Sequence, residues 1–317
     1  MNEVITIGSA TVDAFAQTGE KYFHHDMYCY PAGGKIIIND LEFHIGGGGT
    51  NTAVALSRLG LKTAYIGKLG TDDNANRVLK LLEKEKVDTS LIPKKKGRTG
   101  FSVVLDAKQH DRTILTYKGS NDELSIRDIP ELKCKWIYLS SMVGKAYKTI
   151  EKAAVRARKQ GIKVAFNPSS YLAKQGKDYL ERLLKNTTLL IMNKEEASMI
   201  LNQDLSPKKL LQELHNLGPE IIVITDGKNL VRAYDGKTFY QMKPTPVKIV
   251  ETTGAGDAFA SSFLAGLIKK NDISFALKLG LVNSQSVIQH HGAKNKLLTY
   301  KKAMQKIKNI EVKMFKS

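Results

Sequence analysis

The sequence predicts an α/β fold: a doubly wound, mostly parallel sheet with helices on both faces, and a small second β-sheet. Two observations carry this. Short apolar runs alternate along most of the chain with longer segments of helical periodicity, and βαβα order of that kind places the strands in one sheet between helices. Two β-rich segments, at about residues 14–44 and 97–118, break the alternation. In sheets of this class the site lies beyond the carboxyl ends of the strands.

Each element has a local reason. "EVITIGS" is an apolar β run ending at Gly8, and Asp13 is expected to follow that strand directly in "GSATVDAF". "TNTAVALSRLG" is a helix with Ala53, Leu56 and Leu59 on one side and Gly60 as its stop. "KTAYIGKLG" then reads as a strand and "DDNANRVLKLLEKEKV" as a helix. The same alternation continues through "CKWIYLSS", "YKTIEKAAVRARKQG", "IKVAFNPSS", "TTLLIMN", "KEEASMIL", "PKKLLQELHNLG" and "EIIVITDG". Of the two β-rich segments, the second reads as a hairpin turning at Lys108 to Asp111. The pair could form a sheet over the carboxyl edge, as a lid, a dimer surface or surface decoration.

At 317 residues the chain fits one large α/β domain, and 42% hydrophobic residues suffice for a sizeable core. Cys29 and Cys134 lie far apart, without metal-type spacing, which suits a reducing compartment. The start "MNEVITIGSATVD" lacks the pattern of a signal peptide, and no apolar run approaches a membrane span. A cytoplasmic, soluble protein is the expectation. The formal charge of +18 asks for an anionic partner, but the lysines are dispersed and no nucleic-acid-binding signature accompanies them. The reading is therefore no nucleic acid and no membrane; a lysine-rich solvated surface or a phosphate-bearing substrate accounts for the excess.

The chemistry concentrates in "ETTGAGDAFASSF", Glu251 to Phe263. Gly254 and Gly256 permit the close approach that a backbone phosphate or oxyanion site needs ahead of a helix. Asp257 follows them at the helix start. An acid there is ordinarily a favourable first-turn carboxylate, but beside an anion site it repels the anion unless it has a chemical task. "HIGGGGTNTAVALSRLG" places Gly46 to Gly49 ahead of another helix; it is neither a Walker A loop nor a dinucleotide turn. It lets backbone amides and Asn51 approach a polar ligand, while the Asp13 carboxylate could accept sugar hydroxyls.

Together these residues resemble the ribokinase-like, or phosphofructokinase B, family of carbohydrate kinases, over nearly the whole chain. "GGGGTNTAVALSRLG" is similar to the family's first signature and "ETTGAGDAFASSF" to its second; "NKEEA" matches its Asn-x-x-Glu motif through Asn193 and Glu196, and "TDGKNL" its nucleotide loop. The resemblance implies one ribokinase-like domain spanning residues 1–317, with a lid made from the two β insertions. It implies an ATP- and Mg²⁺-dependent kinase that phosphorylates a sugar or sugar phosphate. Asp257 would be the base, with the amides of Gly254, Ala255 and Gly256 as the anion hole. Asn193 and Glu196 would orient the magnesium through water. Thr225, Gly227 and Asn283 would face the nucleotide, and Asp13, Gly46, Gly47 and Asn51 would read the sugar. It also implies a homodimer through the lid.

The departures are Glu251, where the family usually has the aspartate of a monovalent-cation loop, Leu230 in the nucleotide loop, and "NPSS" in place of Asp-Pro. Glu251 makes a potassium cofactor an open point. The four-glycine run is similar to that of a bacterial 6-phosphofructokinase, and Lys35, eleven positions before Gly46, and Arg98 match its substrate-phosphate residues. As two of 49 basic residues they are equally surface charges. Nucleoside kinases, with Tyr28 and Tyr30 around the base, and a sugar-binding member without turnover are the alternatives.

Overall fold

Strand alternation decides which residues go to which side of the large sheet. The computed structural model describes residues 1–25, 27–106, 112–290 and 292–316. Its first elements are β1 (Val4–Ile7), β2 (Thr11–Gln17), β3 (Phe23–His24), β4 (Met27–Tyr28) and β5 (Asp40–Gly46). Then come α1 (Gly48–Arg58), β6 (Thr63–Ile66), α2 (Asp73–Lys84), β7 (Gly100–Asp106) and β8 (Thr113–Tyr117). The middle comprises β9 (Trp136–Ser140), α3 (Gly144–Lys159), β10 (Lys163–Asn167), α4 (Ser170–Ala173), α5 (Gly176–Leu184), β11 (Leu189–Asn193), α6 (Lys194–Leu201) and α7 (Pro207–Asn216). The chain closes with β12 (Ile221–Thr225), β13 (Val231–Tyr234), β14 (Thr238–Met242), α8 (Ala255–Lys270), α9 (Ile273–Ile288), α10 (Tyr300–Lys306) and β15 (Lys313–Lys316).

The large sheet has the order β15-β14-β13-β12-β11-β10-β9-β1-β6. The six strands from β12 to β6 run parallel, and the three beyond β12 add antiparallel, β13 and β14 in sequence and β15 from the far end of the chain. Successive residues divide between two cores. Ile137, Leu139, Leu190, Met192, Ile222 and Ile224 pack with α3 and α5–α7 on one face, while Trp136, Tyr138, Leu189, Ile191 and Val223 pack with α1, α8 and α9 on the other. Both faces of the parallel strands are thus covered, which is why the runs read as continuously apolar. Each wholly buried Leu or Ile contributes about 1.5–3 kcal/mol.

Helix boundaries follow side-chain caps. Asp72 accepts from the Ala75 N–H, Ser206 from that of Lys209 ahead of Pro207, Asp272 from that of Phe275 and Thr299 from that of Lys302. Gly60 stops α1 at φ +81° as expected.

The small sheet has the order β5-β2-β7-β8, so both β-rich segments enter it. Here the sequence expectation needs one correction. Asp13 does not simply follow β1; it sits inside β2, a separate strand paired with His44 of β5 and Ser102 of β7. The small sheet therefore starts at Thr11, three residues before the expected boundary. The three-residue gap Gly8-Ser9-Ala10 turns the chain out of the large sheet, a break too short for periodicity to reveal. The turn expected at Lys108 to Asp111 lies outside the described residues. Register places Asp13, His44 and Ser102 on one face of this sheet and Ala14, Phe43, Val103 and Leu115 on the other. Where the chain passes from β1 to β2, buried Asn121 pairs with Ala10 as another strand would, accepting from its N–H (2.9 Å) and donating to its C=O (2.8 Å).

Candidate active site

Strand β1 lies between β6 and β9, so the connections from its neighbours diverge to opposite sides and leave a crevice at its carboxyl end. A cavity of about 310 Å³ opens there, lined by Ser9, Gly48, Ser140, Asn167, Tyr171 and Asp257 from the large body and by Lys118, Asn121 and Asp122 beyond β8. Two of its polar side chains are neighbours by register, Asn167 ending β10 beside Ser140 ending β9.

Helix α8 begins at this cavity. Gly254 takes a left-handed conformation (φ +77°), and a Cβ on it would lie 2.5 Å from the Ala293 Cβ. A Cβ on Gly256 would meet nothing within 4 Å, so space opens in front of the first turn. No side chain caps this helix start, which leaves its N-terminal dipole facing outward. The Thr253 hydroxyl beside it is buried, with no hydrogen-bond partner among the described residues.

Asp257 Oδ2 accepts a 2.8 Å bond from Asn51 Nδ2. The other oxygen, Oδ1, is 3.5 Å from where a Cβ on Gly48 would sit, a position only 2.1 Å from Ser140 Oγ. The glycine at 48 therefore keeps the space before Oδ1 clear. Burial pushes the Asp257 carboxyl above its ordinary range, and the Asn51 bond and the nearby Lys294 charge pull it back. Gly46 makes comparable room for Asp13, since a Cβ there would fall 1.8 Å from Asp13 Oδ2. Gly47 (φ +91°) passes so close to Ser9 that no side chain fits.

Asn193 and Glu196 form a reciprocal helix cap. Asn193 Oδ1 accepts from the Glu196 N–H (2.8 Å), and Glu196 Oε2 from the Asn193 N–H (3.1 Å). Glu196 Oε1 keeps only a long 3.4 Å contact from Ser170. Burial raises the Glu196 pKa, with Glu195 and Asp257 adding to it. Among the described residues no three acidic, His or Cys side chains cluster as a metal cage. Thr225 ends β12 and Gly227 follows at φ +53° with open space beside it. Asn283 is different: it is wholly buried, donates to Ser262 Oγ (2.6 Å) and accepts from the Leu298 N–H (2.8 Å). Its side chain is spent on joining α8, α9 and the following loop, and it presents no surface to a nucleotide. Lys35 and Arg98 are exposed and do not line the cavity.

Several residues at the site carried no signal in the sequence. The buried Lys294 donates to the Ile45 carbonyl (2.5 Å) and to Asn51 Oδ1. Arg112, just ahead of β8, pairs with buried Glu251 (2.9 Å), whose other oxygen accepts from the Gly292 N–H (2.8 Å). Lys118 supplies the cation at the cavity wall. All are lysines or arginines in a chain rich in them, and their partners lie far away in sequence.

Residues 1–299 match the pfkB family of carbohydrate kinases. An uncharacterized sugar kinase of Archaeoglobus fulgidus is 32% identical, covering 77% of this chain and 98% of the relative. The 5-dehydro-2-deoxygluconokinase of Clostridium botulinum (strain Alaska E43 / Type E3) is 30% identical over 84% of each chain. Among solved structures, Arabidopsis thaliana ribokinase complexed with ribose and ATP superimposes with a TM-score of 0.83 at 18% identity, covering 97% of this chain and 99% of that one, which shows the shared fold. The chain belongs to the pfkB carbohydrate kinase family and is an ATP-dependent sugar kinase.

Proposed function

Taking that membership as the premise, we propose that this kinase phosphorylates a hydroxyl of a small sugar or sugar acid, with Asp257 as the base. The observation that carries this reading is the asymmetric environment of one carboxylate: Oδ2 is occupied by Asn51, and Oδ1 faces the cavity across Gly48. In that arrangement Oδ1 accepts the proton of the acceptor hydroxyl as its oxygen bonds to the γ-phosphorus and the bond to the leaving ADP breaks. The helix start at Gly254, Ala255 and Gly256 stabilises the charge on the transferring group. Asp13 would orient the sugar, with the glycine at 46 leaving room for its carboxylate, while Asn51, held between Lys294 and Asp257, acts on the sugar through the base it orients.

The residues present fit ATP and magnesium. The orphaned Thr253 hydroxyl, the uncapped helix start and the open space at Gly256 and Gly227 suit phosphate oxygens, with Thr225 beside them. Glu196 would hold Mg²⁺ through water, since its partner Asn193 is engaged in the helix cap. When bound, the metal supplies neutralisation of phosphate charge. A buried carboxylate whose pKa is raised gains from a nearby dication, which supports Glu196 in this role. Potassium is not needed on this reading, because Arg112 already neutralises Glu251.

Lys35 and Arg98 are exposed and away from the cavity, which removes the two residues on which the phosphosugar reading rested, and Lys118 at the wall suits an anionic group such as the carboxylate of a sugar acid, in keeping with the 5-dehydro-2-deoxygluconokinase among the relatives. We further propose a lid role for the small sheet and a homodimer through it. Leu41, Phe43, Leu115 and Tyr117 share its apolar face and are each about half exposed, a patch of the kind that marks an interface. ADP release is the test, measured over ribose, fructose, fructose 6-phosphate, 5-dehydro-2-deoxygluconate, 2-keto-3-deoxygluconate and adenosine. Turnover restricted to fructose 6-phosphate would restore the phosphosugar reading, and turnover restricted to adenosine would replace the sugar reading altogether.

A further inference from the structure

A lysine ammonium has only donors, and a side-chain amide has one acceptor end and one donor end. That difference gives Lys294 a consequence for the base. Its Nζ lies against Asn51 Oδ1, and a second bond of 2.5 Å to the Ile45 carbonyl fixes its direction. With its oxygen held by the lysine, Asn51 has one orientation, in which Nδ2 points at Asp257 Oδ2. A flipped amide would set an NH₂ against an ammonium and an oxygen against a carboxylate, two repulsive contacts in a buried place.

We propose that Lys294 is a positioning residue, whose ammonium locks the Asn51 amide and thereby aims the Asp257 carboxylate at the acceptor. The surroundings are built for it. Arg58 of α1 donates to the carbonyls of Lys294 (3.0 Å) and Leu297 (3.4 Å) while its guanidinium pairs with Glu85 (2.6 and 2.7 Å). Ser286 of α9 holds the Lys296 carbonyl (2.7 Å). The loop that delivers the lysine is therefore tied to α1 and α9. The charged groups around Nζ come from every side: Asp13 on β2, Asp257 on α8, Arg58 on α1 and Glu85 beyond α2. His44 of β5 lies against neighbouring Gly292. Burial pulls the lysine down to about 7, against the raising influence of Asp13 and Asp257, so its charge responds to the same carboxylates it organises.

The inference rests on the role given to Asp257, and its test separates the two. Lysine side-chain carbon signals of ¹³C-lysine-labelled protein are followed by NMR against pH. One signal, absent from Lys294→Met and Lys294→Gln, should titrate near pH 7 and fall further in Asp257→Asn, where a favouring carboxylate is gone. The kinetic arm measures ADP release with the fastest acceptor of the panel. In both lysine variants kcat should fall by about 10- to 100-fold, as for a small misplacement of the reacting groups, with KM for ATP unchanged. The acid limb of kcat/KM should move to higher pH, because the ammonium that favours the ionised carboxylate has been removed. In an Asn51→Ala background Lys294→Gln should add little, since the path through Asn51 is already cut. A residue that merely fills space would lower the melting temperature and leave the limb in place; that result in both variants overturns the proposal. If no sugar is phosphorylated while the titration behaves as described, the proposed reaction falls and the electrostatic placement of Lys294 stands.

Discussion

Asp257→Asn separates chemistry from architecture at this site. The substituted amide can keep the bond that Asn51 now gives at 2.8 Å, by presenting its carbonyl oxygen in place of Oδ2. Its NH₂ then occupies the place of Oδ1, facing the cavity across Gly48, where a donor cannot receive a proton. Loss of a general base costs about 10²–10⁴-fold in rate, equivalent to about 2.7–5.4 kcal/mol at 1.36 kcal/mol per decade. Stability should move the other way. Burial raises the Asp257 pKa in the folded state, so its contribution to stability is fully present below the unfolded pKa and is lost as pH rises through the folded one. At neutral pH the protein carries that loss, and a neutral asparagine removes it. The variant should therefore melt at or above the wild-type temperature at pH 7.5, the difference closing towards pH 3.5, while nucleotide affinity measured by calorimetry stays within a few fold. A coupled ADP-release assay gives the rate. Turnover within a few fold of wild type would remove Asp257 from the mechanism; a collapse in melting temperature with the activity would make it a structural carboxylate.

Further outcomes follow from neighbouring geometry. Gly254→Ala should destabilise the protein by about 1–2 kcal/mol from the left-handed backbone alone, and more through the 2.5 Å approach to Ala293; Gly256→Ala, with nothing within 4 Å, should leave the melting temperature in place and affect turnover only. Glu196→Gln should raise the Mg²⁺ concentration for half-maximal rate more than it changes the sugar KM; a change confined to the sugar KM would move Glu196 out of the metal's reach. Turnover should be equal in potassium-containing and potassium-free buffer, because Arg112 pairs with Glu251 at 2.9 Å. Arg112→Ala should lose activity and regain part of it with added potassium; potassium dependence of the wild-type enzyme would show that the guanidinium does not stand in for the ion.

The large sheet was legible because its evidence is local. Ile137 and Leu139 face one core and Trp136 and Tyr138 the other, and a run with both faces covered announces itself within five residues. The helix start at Gly254 to Asp257 was legible for a related reason: its glycines and its acid are adjacent, so the steric requirement and the charge fall in one short string. Asp13 shows where this stops. The break between β1 and β2 is three residues long, and nothing in "GSATVDAF" says that the second half pairs with β5 and β7 rather than with the large sheet. Asn283 shows the opposite failure, since a motif position suggested a ligand contact where burial and two internal bonds leave none.

What sequence could not reach is the set of polar ties between the small sheet and the large body, and these bear on how the base is held. The Ile45 carbonyl of β5 accepts from Lys294, Arg112 beside β8 reaches Glu251 ahead of α8, and Asn121 beyond β8 grips Ala10 at the root of β2. The first two end within the groups that shape the start of α8. A tilt of the small sheet as a rigid body must stretch or remake them, because backbone carbonyls and short guanidinium contacts have little slack. Lysine 294 then loses the bond that fixes its direction, and Asn51 loses the partner that fixes its amide. On the proposed lid role, covering the acceptor and aiming the carboxylate would be one mechanical event, because the Ile45–Lys294 bond that ties the small sheet down is also the one on which the proposed orientation of Asn51 and Asp257 rests.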